Sequence, residues 1–459
     1  MTPLPHLMQG YAAAVPELSQ PWAAASVPAP RLLALDEAVA ADLGLDAGWL
    51  ASAAGLAFLT GDLSALPDAP PTVAQAYAGH QFGGFSPLLG DGRAVLLGEL
   101  TDAAGRTVDL HLKGSGRTPF ARGGDGKAAV GPMLREHLMS VFVHAVGIPT
   151  TRSLAVVATG EQVLREVALP GAVLARVASS HLRVGTVQHA AASHGPEVTA
   201  RLVRYALERH HPELLGTPEP PALALLRSVA DAQARLVAQW MGVGLVHGVM
   251  NTDNVTLSGE TIDYGPCAML EAHDPQAVFS SIDTQGRYAY GNQPAIAQWN
   301  LARLAEALLP LIDDDADAAV ERATEVVVGF AETYRAEHTA VFSAKLGLTE
   351  PDEGRVAEFL DGLTAEGLDH TASFRALADE AEAAGDPERA ARLRAVNPVY
   401  VPRNHVVEEV LAAATAGDLR PFERLVGALR EPFTEHPGLE DLARPAPADS
   451  PPHVTFCGT

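Results

Sequence analysis

The sequence predicts an α+β fold, β-rich in its first part and helical in its second. Three observations carry that reading. Alternating or β-branched runs broken by Gly or Pro fill much of the interval from Ala94 to Val177. From about residue 195 onward, apolar residues recur at three- and four-residue steps. The chain has 459 residues, 47% of them hydrophobic, enough for a large core and two or three lobes. In the helical part lies the polar stretch His247 to Gly265, around which the remainder is organised.

Residues 1–30 are rich in Pro and Ala and are expected to wrap another surface as an extended arm. Leu32 to Leu59 has helical spacing, with Leu35, Val39, Leu43 and Leu50 on recurring faces. Tyr77 to Ser86 is aromatic and Gly-rich without a regular period, and is expected to be a loop. Gly90-Asp91-Gly92-Arg93 reads by default as a turn between strands. Its functional reading is a backbone cradle for phosphate with Arg93 supplying charge. A strand from Ala94 to Leu97, a turn at 103–106 and a second strand ending at Lys113 follow.

Lys113 points away from Leu110 and Leu112 on its strand, the ordinary place of a solvent-facing lysine. Directly after it come Gly114-Ser115-Gly116-Arg117 and Arg122-Gly123-Gly124-Asp125-Gly126-Lys127, dense in glycine and cation as phosphate-binding backbone requires. Pro132 to Val146 reads as an amphipathic helix with Leu134, Leu138, Val141, Phe142 and Ala145 on its apolar face and Glu136 as its acid. Strand-like runs follow at 153–158, 163–167 and 172–177. Arg176 and Arg183 flank the way out of this sheet. Each alone is an ordinary surface residue, but two guanidinium forks among small residues suit phosphate oxygens. Val198–His211 and Pro221–Val243 are long helical patterns, and the second runs directly into His247. A polar, aromatic loop spans 281–294, Ala- and Leu-rich helix spans 295–430, and the Pro-rich tail 434–459 is expected to be extended.

Acidic residues outnumber basic ones, 56 to 32, for a formal charge of −24. That excludes a broad nucleic-acid-binding surface, which needs clustered Lys and Arg. With 2 Cys there is no disulfide scaffold. No signal peptide and no apolar run long enough for a bilayer is visible, so a soluble, cytoplasmic monomer without membrane contact is expected.

Within the central stretch, Asn254 and Asp263 flank Val255-Thr256-Leu257 and a turn at Ser258-Gly259. An amide oxygen and a carboxylate brought together this way make an oxygen-rich site suited to Mg²⁺ or Mn²⁺. The bland alternative is that Asp and Asn serve only as turn residues. The pattern resembles the end of a protein-kinase active site, where a loop Asn and a later Asp hold the metals. Setting His247 and Asn254 on the kinase His and Asn puts Val249 where the catalytic Asp belongs, and valine accepts no proton. Asp253 is the one carboxylate within the loop. Lys113 and Glu136 follow the order of the strand Lys and helix Glu of a kinase-like lobe.

Taken together, the motifs resemble the selenoprotein O family, called YdiU in bacteria, of pseudokinase-like protein adenylyltransferases. The residues that carry the resemblance are Tyr77-Ala-Gly-His-Gln-Phe-Gly, Gly90-Asp-Gly-Arg, Leu112-Lys-Gly-Ser-Gly-Arg-Thr-Pro-Phe, Arg176, His181-Leu-Arg-Val-Gly-Thr, His247-Gly-Val-Met-Asn-Thr-Asp-Asn, Ile262-Asp-Tyr-Gly-Pro and Gly286-Arg-Tyr-Ala-Tyr-Gly-Asn-Gln-Pro. They cover roughly 75–300. The resemblance implies a protein-kinase-like two-lobed fold: an arm and helical extension at 1–75, a nucleotide-binding lobe at 76–180, a lobe with the catalytic loop and metal site at 181–310, a helical region at 311–433 and the tail at 434–459. It further implies ATP bound in a flipped orientation, AMP transfer to Ser, Thr or Tyr hydroxyls of proteins, and release of pyrophosphate. Carried over by motif, Asp253 is the base and Asn254 with Asp263 the ligands of Mg²⁺ or Mn²⁺. Gly90, Gly92, Arg93, Lys113, Asp125, Gly126, Arg176 and Arg183 hold the nucleotide, and Glu136 supports Lys113. UMP transfer from UTP with Mn²⁺, or an inactive ATP-binding scaffold, are the alternatives. Animal relatives carry selenocysteine near the C-terminus, which implies redox chemistry where Cys457 lies. A reversible Cys267–Cys457 disulfide tying the tail across the active lobe is the resulting expectation.

Overall fold

The computed structural model describes residues 4–447 and 450–456. The fold is α+β. Its main sheet is antiparallel, and across it the strands run Ser19–Pro21, Val73–Gln75, Ala94–Thr101, Thr107–Lys113, Ala168–Ala178, Arg152–Leu164 and Arg31–Leu35, with the short Ala128–Ala129 paired to Ala168–Ala178.

Register sorts this sheet into two faces. Lys113 lies opposite Leu174, and His111 opposite Arg176. Directly paired residues point the same way, so Lys113, His111 and Arg176 share one face. Leu110, Leu112, Val173, Ala175 and Val177 take the other and pack with Val39, Leu43, Leu50 and Phe58 from three short helices, Glu37–Asp42, Ala47–Leu50 and Ala53–Leu59. The first face meets the helix Val130–Ala145, which buries Met133, Leu134, Leu138 and Phe142 in the larger core shared with the helical half.

Several expectations change. Arg31–Leu35 is an edge strand, because it pairs with Arg152–Leu164; the helix starts only at Glu37, where Asp36 accepts hydrogen bonds from the N–H groups of Ala38 and Val39. Tyr77–Ser86 contains a small hairpin, Gly79–Gln81 with Gly84–Ser86. The run at 163–167 is the end of one long strand and its turn into the next. The N-terminal arm contributes the strand Ser19–Pro21. The tail holds a short helix at Glu440–Ala443, and Thr455 then bridges to Ser280.

The helix Pro221–Val243 ends on Gly244 in the left-handed conformation, as a glycine C-cap allows. The two-residue strand Leu245–Val246 follows and pairs with Ala268–Met269, closing the base of the central loop. No helix among the described residues is long and apolar enough to cross a membrane.

One buried charge lies outside the lining of the cavity beside that loop. Lys345 is enclosed in the helical half, donating to Asn397 Oδ1 at 2.8 Å and lying 4.5 Å from the Phe374 ring centroid. Burial lowers its amine to about 7. The unfolded chain therefore binds a proton more readily than the folded one between pH 7 and the ordinary lysine range, and the cost of burial is fullest on the acid side. Lys345→Met removes this cost, a gain set against the donor lost by the buried Asn397 Oδ1. That gain shrinks as pH rises toward 10, a trend that thermal melts of both proteins across this range would measure.

Candidate active site

A cavity of about 790 Å³ opens between the sheet and the central loop. Its cationic wall comes from the register described above: Lys113 and Arg176 project from adjacent strands, and Arg183 follows just beyond the sheet. All three converge on Asp263. Lys113 Nζ lies 2.5 Å and Arg176 Nη1 3.2 Å from Asp263 Oδ1, and Arg183 Nη1 lies 3.1 Å from Oδ2. Burial alone would raise the Asp263 carboxyl, but these cations hold it well below the usual carboxylate range. Asp263 has φ of +64°, a left-handed conformation that Asp tolerates better than most residues.

Lys113 is buried and also pairs with Glu136 from the Val130–Ala145 helix, as its sequence order predicts. The ordinary solvent-facing lysine is not what forms. Arg176 is steadied from behind, since its Nε donates to His111 Nδ1 at 3.4 Å while His111 Nε2 lies 3.0 Å from Asp91 Oδ2. Arg183 donates to the carbonyl of Asp253 at 2.6 Å and lies 4.7 Å from the ring centroid of Tyr77.

The central loop is fixed at both ends. His247 bonds to the carbonyl of Ile262 through Nε2, and its backbone N–H donates to Gln293 Oε1, both at 2.9 Å. Asn254 donates Nδ2 to the carbonyl of Val249 at 2.9 Å, and its Oδ1 has no protein partner among the described residues. Asn254 and Asp263 both line the cavity. No cluster of three or more His, Cys, Asp or Glu suited to a metal occurs among the described residues. Two oxygen donors nevertheless fit Mg²⁺ or Mn²⁺, which are commonly held by one or two protein oxygens together with substrate phosphates.

Asp253 stands apart from this charge cluster. Its Oδ1 is buried without a hydrogen-bond partner, and burial pushes its carboxyl up to about 6 against the pull of Arg183. A buried unpaired carboxylate oxygen is costly and invites a proton donor from a ligand. Its backbone neighbours are the hairpin and the Val184–His194 helix: a Cβ on Gly79 would come within 2.6 Å of Asp253 Oδ1, and one on Gly185 within 3.5 Å of its Cα.

The glycine-rich segments act in two ways. Gly92 and Arg93 line the cavity. Gly90, at φ +70°, lies under Phe120, where a Cβ would come within 2.4 Å of the ring. Asp125 and Gly126 lie outside the cavity lining. Asp125 pairs with Arg165 at 2.9 Å and caps the N–H of Lys127, and Gly126 packs against the backbone of Gly116 and Arg117. Both therefore shape the loop that follows Lys113 rather than the cavity wall.

Sequence reasoning missed Tyr77, Asp91, Asn251 and Gln81 as cavity residues, although each sits in or beside a quoted motif. It also missed Leu411, Ala412 and Thr415, contributed from the helix Asn404–Thr415 with no local signal. The tail reaches the same cavity through Val454, Thr455 and Phe456, and Thr455 Oγ1 donates to the carbonyl of Pro266 at 2.8 Å. Cys267 is wholly buried, its thiol donates to the carbonyl of Tyr264 at 3.0 Å, and burial pushes it up to about 12. Cys457 lies outside the described residues, so the expected pairing has one described partner.

Residues 9–388 match a family model described as protein adenylyltransferase SelO. A protein nucleotidyltransferase YdiU of Mycobacterium sp. (strain KMS) is 54% identical, over 98% of each chain. One of Pseudarthrobacter chlorophenolicus is 55% identical over 96% of each, and one of Cereibacter sphaeroides (strain ATCC 17025) is 56% identical over 95% of this chain and 96% of its own. These descriptions are of active transferases and stand against an inactive scaffold.

Proposed function

Because the chain belongs to the protein adenylyltransferase SelO family, we propose that it moves AMP from ATP to Ser, Thr or Tyr hydroxyls of protein substrates in a protein-kinase-like, two-lobed site that binds ATP flipped. The observation that carries this reading is the division of one cavity. A buried carboxylate with one unpartnered oxygen, Asp253, belongs to none of the ion pairs that gather three cations on Asp263.

In this reading the acceptor hydroxyl attacks the α-phosphorus, and Asp253 takes its proton. The bond from the α-phosphorus to the bridging oxygen breaks, and pyrophosphate leaves. Lys113, Arg176, Arg183 and Arg93 hold the phosphates, with Gly92 allowing close backbone approach and Gly90, Asp125 and Gly126 shaping the loops. Glu136 keeps Lys113 aimed. Asn254 and Asp263 would hold Mg²⁺ or Mn²⁺, which supplies neutralising charge at the phosphates. Positioning and charge neutralisation carry most of the rate gain. The second reading, UMP transfer from UTP with Mn²⁺, uses the same residues. A monomer in the cytoplasm, and a Cys267–Cys457 bridge as a redox control, complete the proposal; Thr455 beside Pro266 supports the tail's approach to Cys267.

Incubation with α-labelled or γ-labelled ATP, and with α-labelled UTP, tests it. Protein label from α-labelled ATP alone is the expected result. Label from γ alone means a kinase, and label from UTP alone means uridylylation.

Lys113→Met and Arg176→Ala are each expected to weaken ATP affinity about tenfold or more, as loss of a charge-assisted contact does. Arg183→Ala should also lower kcat, because its guanidinium holds the Asp253 carbonyl. Glu136→Gln should act more mildly, through Lys113. Calorimetry shows wild-type affinity in all three cation variants if they lie outside the site.

A further inference from the structure

Two motifs remain without a role in this mechanism, Tyr77–Phe85 and Gly286–Pro294. They meet over the residue that precedes the catalytic loop's Thr252-Asp253 pair. Asn251 Oδ1 accepts a hydrogen bond from the backbone N–H of Phe82 at 3.0 Å and from the hydroxyl of Tyr288 at 2.6 Å. Next to it, Thr252 Oγ1 accepts the N–H of His80 at 2.7 Å. The Gly79–Ser86 hairpin is thereby rooted in the loop that carries Asp253. Its tip is held in an unusual state, with Phe82 in the left-handed region at φ +50° and its ring edge-on to Tyr288 at 5.1 Å.

This construction leaves apolar surface in water. Phe82 is 38% exposed, Phe85 46% and Leu88 47%, three large residues within seven positions, and Ile282, which also lines the cavity, is 51% exposed. Phe82 and Ile282 line the cavity that Asp253 also lines, whereas Phe85 and Leu88 lie beyond its lining. A nucleotide base inside the cavity could cover Phe82 but not the whole group. A protein acceptor whose hydroxyl reaches Asp253 must cross this rim. We propose that the Gly79–Ser86 hairpin, together with Ile282 of the same cavity, is the docking surface for the acceptor polypeptide, and that it selects hydroxyls flanked by apolar side chains. Burying two aromatic rings gives the affinity, and the bonds from His80 and Phe82 tie the docked chain to the loop that positions Asp253. The proposal rests on the transfer reading above.

The test uses two peptide pools of equal length, each with central Ser, Thr or Tyr, one flanked by Leu and Phe and the other by Gly and Gln. Wild-type protein should label the apolar pool from α-labelled ATP with a KM about tenfold lower than for the polar pool. Phe82→Ala/Phe85→Ala should bring the two within about threefold, and Phe85→Ala, outside the cavity lining, should leave ATP affinity unchanged. Because Phe85 is the more exposed, Phe85→Ala alone serves as the variant with least risk to folding and should halve the preference or more. Fluorescence anisotropy of the labelled pools with a non-hydrolysable α,β-methylene ATP reads docking independently of transfer. Discrimination by anisotropy without any α-label overturns the transfer reading alone. Equal KM and equal binding of the pools in wild type, or a preference retained by the double variant, overturns the docking surface. Lost ATP affinity with peptide preference intact assigns the rings to the base and overturns it too.

Discussion

Asp253→Ala is expected to lower AMP transfer by about two to four orders of magnitude, the usual cost of removing a general base. ATP affinity should remain near wild type. The separation follows from position: the cations proposed to hold the phosphates bond to Asp263, and Asp253 touches the cluster only through its backbone carbonyl, which accepts from Arg183. That carbonyl survives the substitution. Nor should the variant unfold, since Asp253 Oδ1 has no partner, the side chain gives up only its interaction with Gln81, and burial of its charge is itself unfavourable. Asp253→Asn keeps the shape and should be as inactive as Ala. Initial rates of α-label transfer, set beside calorimetric ATP binding, check both halves. A modest loss in rate, or a parallel loss of affinity, would remove Asp253 from the role of base.

Asp263→Ala should abolish metal-dependent ATP binding and, unlike the first variant, also destabilise the fold. It strips one carboxylate from three buried or nearly buried cations, and breaking such a cluster costs about 3–5 kcal/mol. Alanine is further penalised by the left-handed backbone at φ +64°. Asp263→Asn tolerates that backbone and isolates the charge effect. The expected order of melting temperature is therefore wild type, then Asn, then Ala, while both variants lose activity alike. ATP titrations with and without Mg²⁺ or Mn²⁺, and thermal melts without ligand, make the comparison. Stability equal to wild type in both variants would contradict the ion cluster, and retained metal-dependent binding would contradict the ligand role.

Much of this site could be read from order along the chain. Lys113 followed by a helix acid at 136, and Asn254 followed by Asp263 across a short turn, are local patterns, and the structure brings the first pair into contact and the second into one cavity. What escaped the sequence depends on partners distant along the chain. Arg31–Leu35 has helical spacing, but the edge of Arg152–Leu164 recruits it as a strand. The hairpin at 79–86 is too short to show a period, and it is stabilised by side chains more than 160 residues away. Tyr77 looks like one aromatic among several until Arg183 lies over it. Lys113 shows the same limit in reverse, because alternation alone assigns it to solvent and only Glu136 and Asp263 explain its burial. Cys267 carries no local sign of being enclosed, and its partner in the expected bridge falls outside the described residues.

The convergence of Lys113, Arg176 and Arg183 on Asp263 has a thermodynamic corollary. In this state the site is its own counterion. A polyphosphate alone would draw the cations off Asp263 and strand a carboxylate, with Lys113 alone of the three still holding a second carboxylate, Glu136, among the described residues. A divalent ion alone would draw off Asp263 and strand two arginines. Arriving together, the two guests let every charge exchange one partner for another. If the site takes both guests as proposed, their binding is heterotropic: each guest raises the affinity for the other, and by the same factor in both directions. Half-occupied forms are thereby thinned out, and the population divides between an empty, self-neutralised site and a fully charged one.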